Sequence, residues 1–282
     1  MNIENIIFDY DKCTRCDLCI KVCHKIQLAG DGSGRPERNK EKECNDCGHC
    51  IAVCPEDAII NTNANMADYK PMEPHNISIE MFTNLVRNRR SIRRYKKMPL
   101  SKEHLDHLLK AVNYIPTGSN KQALEYTVIS AEDRLMEIKI FMAKRFRTVT
   151  SLIQSFPFRL FIKKRGRTSL RSLIEQWDNG EDSFLRGAPC LIIIHTKSEY
   201  FGISRWDAGI ACNTIDLAAQ TLGIGTIING FVMTTSRYFP ALKKVVGVPK
   251  EHKIMAAIGL GYPIIKYRKT VNRRPLKIEY YE

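Results

Sequence analysis

The sequence predicts an α+β chain in two parts: a small cysteine-rich module, residues 1–61, and a larger α+β body, residues 77–282, joined by a linker over 62–76. Three observations predict it. Eight of the ten cysteines fall between positions 13 and 54. The stretch 62–76 is polar and carries Pro71 and Pro74, the composition of a connecting segment. From Ile77 onward, helical periodicity alternates with short apolar runs of strand length.

Composition narrows the class. Hydrophobic residues make up 44% of the 282, with 16 Gly and 12 Pro, which excludes fibrous and disordered chains. The longest apolar run, about 188–194, is far short of the ~18 residues of a membrane span. Met1–Tyr10 carries Glu4 and Asp9 and has neither a basic flank nor an apolar stretch, so no signal peptide is expected and the expected location is cytoplasmic. In a reducing compartment, clustered cysteines point to metal or redox chemistry rather than disulfides. The net charge of +14 is unevenly spread. Residues 1–60 hold 8 Lys/Arg and 11 Asp/Glu, a net −3, and the remainder carries +17. Such asymmetry suggests nucleic acid or membrane as partner, or electrostatic docking of the acidic module on the basic body.

The cysteines form a repeat. The first copy is Cys13-x-x-Cys16-x-x-Cys19-x-x-x-Cys23, and the second is Cys44-x-x-Cys47-x-x-Cys50-x-x-x-Cys54-Pro55. This is the run of bacterial two-cluster ferredoxins, in which the fourth cysteine ligates the other cluster. One 4Fe–4S cluster then takes Cys13, Cys16, Cys19 and Cys54, and the other takes Cys44, Cys47, Cys50 and Cys23. Structural zinc is the competing reading, but its two Cys-x-x-Cys pairs usually lie a dozen or more residues apart. His24 stands where the run often has Pro, and His49 reads as a spacer. Cys190 and Cys212 fall in apolar patterns and read as inert core thiols.

In the body, Ser78 reads as the N-cap of a helix to about Asn88, with Ile77 as a staple residue. Ser101 caps a second helix with Leu105, Leu108, Leu109 and Val112 on one face. Strands are expected at 124–130, 191–195, 226–228 and 254–260, and helices at 131–144 and 204–222. The last of these is apolar enough to be buried on several sides. The stretch 145–186 reads as mostly helical. No Gly-x-Gly-x-x-Gly or P-loop is present, and Gly223-Ile-Gly225 and Gly259-Leu-Gly261 are too short to carry a phosphate-binding claim.

Five further motifs are informative in their order. They are Arg89-Arg90-Ser91-Ile92-Arg93 after the first helix, Pro116-Thr117-Gly118-Ser119-Asn120-Lys121-Gln122, Asp207 opening an Ala-rich helix that ends at Leu222-Gly223, Ile228-Asn229-Gly230-Phe231, and Gly259-Leu260-Gly261 followed by Arg273-Arg274. Together they resemble the nitroreductase family of FMN-dependent enzymes over residues 77–275, with the cysteine module as a ferredoxin-like addition. The resemblance implies a nitroreductase-like α+β sandwich and a homodimer with two flavins at its interface. It implies that Arg89 and Ser91, with Arg273 or Arg274, hold the FMN phosphate, as guanidinium forks suit phosphate, and that Arg90 is also cofactor-binding. Arg93 would face the pyrimidine edge, Ile228 would lie in the loop against the flavin ring, and the backbone at Asn229 and Gly230 would donate to the flavin N5. Pro116, Thr117, Gly118, Ser119, Asn120 and Gln122 would reach the FMN of the other subunit.

Residues 138–171 hold ten Lys/Arg and no Asp/Glu, with five phenylalanines between them. Three readings stand: a solvated helical flap, a docking face for an acidic module or carrier, and an amphipathic surface. Pro157 interrupts the stretch, and no nucleic-acid fold motif accompanies it, so neither nucleic acid nor membrane is an expected partner. The expected activity is electron exchange between two 4Fe–4S clusters and FMN, reducing a small electrophilic nitroaromatic, quinone or enone. An external ferredoxin, a flavodoxin or NAD(P)H is the expected donor. The flavin carries the hard chemistry, so no obligatory protein acid or base is assigned. The alternative is an electron relay or redox sensor with no substrate of its own.

Overall fold

A computed structural model describes residues 5–154, 164–197, 199 and 202–282. The chain divides into two compact units, one running through Asn76 and including Ser119–Lys121, the other comprising Ile77–Gly118 and Gln122–Glu282.

The first unit repeats itself. Strand β1 (Ile6–Phe8), helix α1 (Leu18–Val22) and β2 (Ile26–Leu28) are followed by β3 (Pro36–Arg38), α2 (His49–Ala52) and β4 (Ile59–Asn61). β1 pairs antiparallel with β4, and β2 with β3, so the last strand closes on the first. The core is small: Ile6, Cys19, Ile26, Cys50, Ile51 and Ile59, two of them cysteines. Met66 and Tyr69, within the expected linker, pack against this core, and Met66–Asp68 form a 3-10 turn capped by the Asn65 side chain.

The second unit is built on a sheet of β5 (Glu125–Ile129), β6 (Cys190–Thr196), β7 (Gly225–Ile228) and β8 (Lys253–Gly261), in the order β5-β6-β8-β7, every neighbour antiparallel. Every residue of β6 is buried, because helices cover both faces of the sheet. That is why its sequence is a continuous apolar run rather than an alternation. Successive side chains of a strand point to opposite faces. Leu191, Ile193 and Ala257 face α5 (Glu132–Gln154), α6 (Lys164–Asp178), α8 (Gly230–Tyr238) and α9 (Leu242–Val245). Cys190, Ile192, Ile258 and Leu260 face α4 (Lys102–Val112) and α7 (Ile203–Thr221). Cys190 and Cys212 are 0% and 3% exposed, and burial pushes both thiols up to about 12.

Side-chain caps start the first two helices of the body. The Ser101 hydroxyl accepts from the His104 N–H at 3.2 Å, and Ser78 from Met81 at 3.1 Å, opening α3 (Ile79–Asn88). Ile77 is 63% exposed and Phe82, its staple partner by position, 47%, so no staple closes within the chain. α5 runs ten residues past the expected end at Lys144, because Ile138, Met142, Phe146 and Thr150 are buried at every fourth position. Of the basic stretch, Lys139 pairs with Asp182 at 3.4 Å, Arg147 pairs with Asp178, and Arg145 lies over Phe141 and Phe239. Its remainder, 155–163 with Pro157 and Arg159, lies outside the described residues, as do the side chains of Lys164, Arg165 and Arg167. After Pro263 the chain has no regular structure, and residues 264–282 are exposed. Among the described residues no helix is long and apolar enough to cross a membrane.

Candidate cofactor sites

In the module, each Cys-x-x-Cys-x-x-Cys loop turns through two left-handed residues at matching positions. They are Arg15 and Asp17 in the first (φ 57° and 60°), and Asp46 and Gly48 in the second (φ 49° and 73°). Asp17 and Gly48 are also the N-caps of α1 and α2. These reversals wrap the chain tightly enough to turn three nearby thiols to one side. Cys13, Cys16 and Cys19 line one cavity together with Cys54, which arrives from the second repeat. Cys50 in turn feels Cys23, Cys44 and Cys47, and burial with those three neighbours pushes its thiol up to about 11. Four sulfurs this close cannot all ionise without a cation among them, so the donor set fits an iron–sulfur core. Backbone N–H groups of Asp46 and Ala58 donate to the sulfurs of Cys44 and Cys54 at 3.4 and 3.3 Å.

In the body, the expected phosphate-binding segment lies along the end of the sheet. Ser91 bridges Thr226 in parallel, the Ile92 N–H donates to the Thr226 carbonyl at 2.8 Å, and Tyr95 bridges Pro263. The close approach explains the glycines. A Cβ on Gly225 would stand 2.5 Å from Ile92, and one on Gly261 would stand 2.5 Å from Pro189. Gly225 and Gly261 therefore serve packing. The Arg89 guanidinium lies 3.4 Å from the buried carboxylate of Asp216, which also accepts from the Thr226 hydroxyl. Arg90 turns back to the carbonyls of Arg87 and Arg89 at 2.8 and 2.6 Å.

Beside this segment is a cavity of about 330 Å3 whose lining includes Arg93, Phe184, Arg186, Ile228, Asn229 and Gly230. Its wall is firmly built. The Asp182 carboxylate accepts from the N–H groups of Phe184, Leu185 and Gly187 at 2.8–3.2 Å, and this turn holds Arg186 at φ 61°. The Asn229 amide donates to the Phe184 carbonyl at 2.9 Å, while its oxygen caps α8 through the Val232 N–H at 3.0 Å. The Asn229 N–H is spent on the Ala257 carbonyl at 2.7 Å. The N–H groups of Gly230 and Phe231 open α8 and have no intrahelical acceptor by position, so Gly230 rather than Asn229 is the donor this loop offers.

The second expected loop is equally constrained. The Gly118 N–H donates to both oxygens of Asp207 at 3.1 and 3.3 Å, and the Gln122 N–H donates to the Thr117 hydroxyl at 3.0 Å. Ser119, Asn120 and Gln122 are left-handed, a concentration of strain of the kind that functional loops carry. Pro116 is exposed. Arg273 and Arg274 stand exposed in the tail. One copy of the chain thus gathers Arg93, Ile228, Asn229 and Gly230 around one cavity and sets Arg89 and Ser91 beside Asp216 and Thr226. Sequence reading missed Arg186, Asp182 and Asp216. Asp216 alone had a signal: a carboxylate among Cys212, Ile215 and Ala219 on a mostly apolar helix.

Residues 86–262 match the model of the nitroreductase family. The chain belongs to that family. Residues 5–55 match the model of the 4Fe–4S dicluster domain. Among its relatives is iodotyrosine deiodinase 1 of Rattus norvegicus, 24% identical over 202 residues, which are 68% of this chain and 66% of the relative. The iodotyrosine deiodinase of Thermotoga neapolitana is 25% identical, covering 66% of this chain and 90% of its own. FMN reductase [NAD(P)H] of Bacillus subtilis is 29% identical over 62% of each chain. The body shares its fold with a solved nitroreductase with bound FMN from Bacteroides fragilis, at TM-score 0.55 and 23% identity, over 70% of this chain and 98% of that one. The fold of a nitroreductase thus accounts for the body, and the cysteine module stands outside the family match.

Proposed function

We propose that this nitroreductase-family protein is an FMN-dependent oxidoreductase whose two 4Fe–4S clusters form a built-in electron relay, and that it reduces a small electrophile of the nitroaromatic, quinone or enone class. The clusters supply single-electron transfer, and FMN supplies the conversion between single electrons and a two-electron delivery. The observation that carries the reading is the cavity bounded by Arg93, Arg186 and the start of α8.

The chain's own residues have separable roles. Cys13, Cys16, Cys19 and Cys54 would hold one cluster, and Cys23, Cys44, Cys47 and Cys50 the other. Arg89 and Ser91, joined by Arg273 or Arg274, would bind the FMN phosphate, with Asp216 fixing the Arg89 fork. Arg93 and Arg186 bring positive charge to the cavity, where it favours an electron-rich ring. The Gly230 N–H, at the positive end of α8, would donate toward the flavin N5. Phe184, Ile228 and Phe231 give the cavity apolar walls suited to a flat substrate.

Two copies complete the site in this reading. α3 leaves Ile79 80% exposed, along with Met81, Phe82 and Val86, and the tail leaves Leu276, Tyr280 and Tyr281 exposed. Apolar surfaces of that extent are what a homodimer covers. Pro116–Asn120 would then approach the partner's flavin. A cytoplasmic location and an external ferredoxin, flavodoxin or NAD(P)H as donor complete the reading.

Iron, acid-labile sulfide and flavin in anaerobically purified protein test it: about eight irons and one FMN per chain are expected, and four irons or no flavin would overturn it. Stopped-flow mixing with NADH, NADPH and reduced ferredoxin tests the relay. Flavin reduction by a nicotinamide in protein stripped of its clusters would remove the module from the obligatory path.

A further inference from the structure

At the β5 side of the sheet, the edge away from β7, lies a polar cluster that the flavin reading does not use. β6 is apolar from Cys190 to Ile194 and then places His195 in the interior, 3% exposed. The β6–β8 register shifts between Ile194 and His195, an irregularity of the kind that re-aims a side chain. His195 stands directly across from Glu125 of β5. His252, 5% exposed, comes from the turn leading into β8. The two Nδ1 atoms are 2.9 Å apart, and Nε2 of His252 lies 3.7 Å from the Glu125 carboxylate. One donor atom from each of the three residues falls within 4.8 Å of the others.

We propose that Glu125, His195 and His252 form a binding site for a divalent cation of the zinc class, separate from both iron–sulfur clusters. The chemistry of the set supports it. Two imidazoles and a carboxylate are a donor combination that zinc takes with a water in the fourth position. Thr127 hydrogen-bonds Nε2 of His195 at 2.9 Å, the outer contact that fixes a ligating imidazole's tautomer and leaves Nδ1 for the ion. One ring nitrogen of His252 would bind, and donors that lie within 4.8 Å of one another would close toward the ~3.3 Å separations that go with ~2.0–2.1 Å zinc–nitrogen bonds. The Glu125 side chain is 59% exposed, which gives the ion an entry path and the carboxylate freedom to close on it. The three ligands come from β5, β6 and the lead-in to β8, so the ion would clamp three segments of one sheet.

The test uses the full chain with its iron and flavin loaded, and zinc chloride as probe. Equilibrium dialysis is expected to give one zinc per chain beyond the cluster iron. Zinc K-edge absorption is expected to show nitrogen and oxygen at ~2.0–2.1 Å and no sulfur at ~2.3 Å. Glu125→Gln, at a position exposed enough to leave the fold intact, and His252→Gln are each expected to weaken binding at least tenfold. Zinc should raise the unfolding temperature of the parent and not of E125Q. Failure to bind zinc, a sulfur shell, or unchanged affinity in both variants would overturn the proposal and leave the pair as an N–H···N hydrogen bond. Flavin content, measured in the same samples, reports on the flavin site separately.

Discussion

The ten cysteines divide between two regions held together in different ways. In the module, Cys19 and Cys50 are a third of a six-residue core, and Cys23, Cys44 and Cys54 pack against it partly buried. In the body, Cys190 and Cys212 are minor members of an apolar layer that also contains Ile192, Ile215, Ile258 and Leu260. A core as small as the module's sits below the size at which burial alone sustains a fold, whereas the body's sheet is covered on both faces. The same side chain therefore acts as a scaffold in one place and as filling in the other.

The largest expected effect follows directly. Removing iron from the reduced protein with a chelator should abolish the module's protection from amide hydrogen exchange while β6 and β8 stay protected. Metal binding and folding are one equilibrium where the core is this small. If the iron-free module kept its protection, the contrast between the two regions would fail.

The converse change lies in the body. Ile258→Ala, at a fully buried position on the central strand, should cost about 2–5 kcal/mol by chemical denaturation. Iron content should stay unchanged. A loss of iron in that variant would mean that the two units share stability rather than keep it separately.

Smaller effects sharpen the comparison at the loop between α4 and β5. A Cβ on Gly118 would stand 2.3 Å from Cγ2 of Ile203. Gly118→Ala should therefore destabilise the body by about 1–3 kcal/mol. Ile203→Ala, which removes Cγ2, should make the cost of Gly118→Ala smaller than it is in the parent background. Equal stability of G118A and the parent would show that the loop adapts freely, contrary to its hydrogen bonds with Asp207. Ser101→Ala should cost about 1 kcal/mol, the usual value of a lost helix cap.

How much of this was legible in the sequence also differs by region. The module was readable because three ligands of a cluster must come from adjacent turns, which fixes spacing in the chain itself. The body's strands were readable from unbroken apolar runs, and the starts of α3 and α4 from Ser78 and Ser101. The end of α5 was not, because Phe146 and Thr150 extend the buried face by fourfold spacing through residues whose charges suggested an exposed flap. The cavity wall was hidden for another reason. Arg186 owes its placement to Asp182, and Asn229 owes its role to the Phe184 carbonyl 45 positions away. Contacts of that range leave no periodic mark. Asn229 also shows the limit of carrying a motif over. The residue lines the cavity, but its N–H and its side chain are already committed to the fold.

The smallest expected effect is no reaction at all. Cys190 and Cys212 are buried, and with thiols pushed up to about 12 they hold roughly 1 part in 10,000 as thiolate at pH 8, the form that attacks a disulfide reagent. After iron removal, Ellman's reagent should therefore titrate the eight module thiols within minutes and stop. The remaining two should appear only when denaturant opens the body. The plateau separates the two regions without any substitution. Ten thiols at once would mean that the body opens when the module loses its metal. Fewer than eight would mean that the iron-free module keeps part of its core closed around Cys19 and Cys50, so that its fold precedes its clusters rather than depending on them.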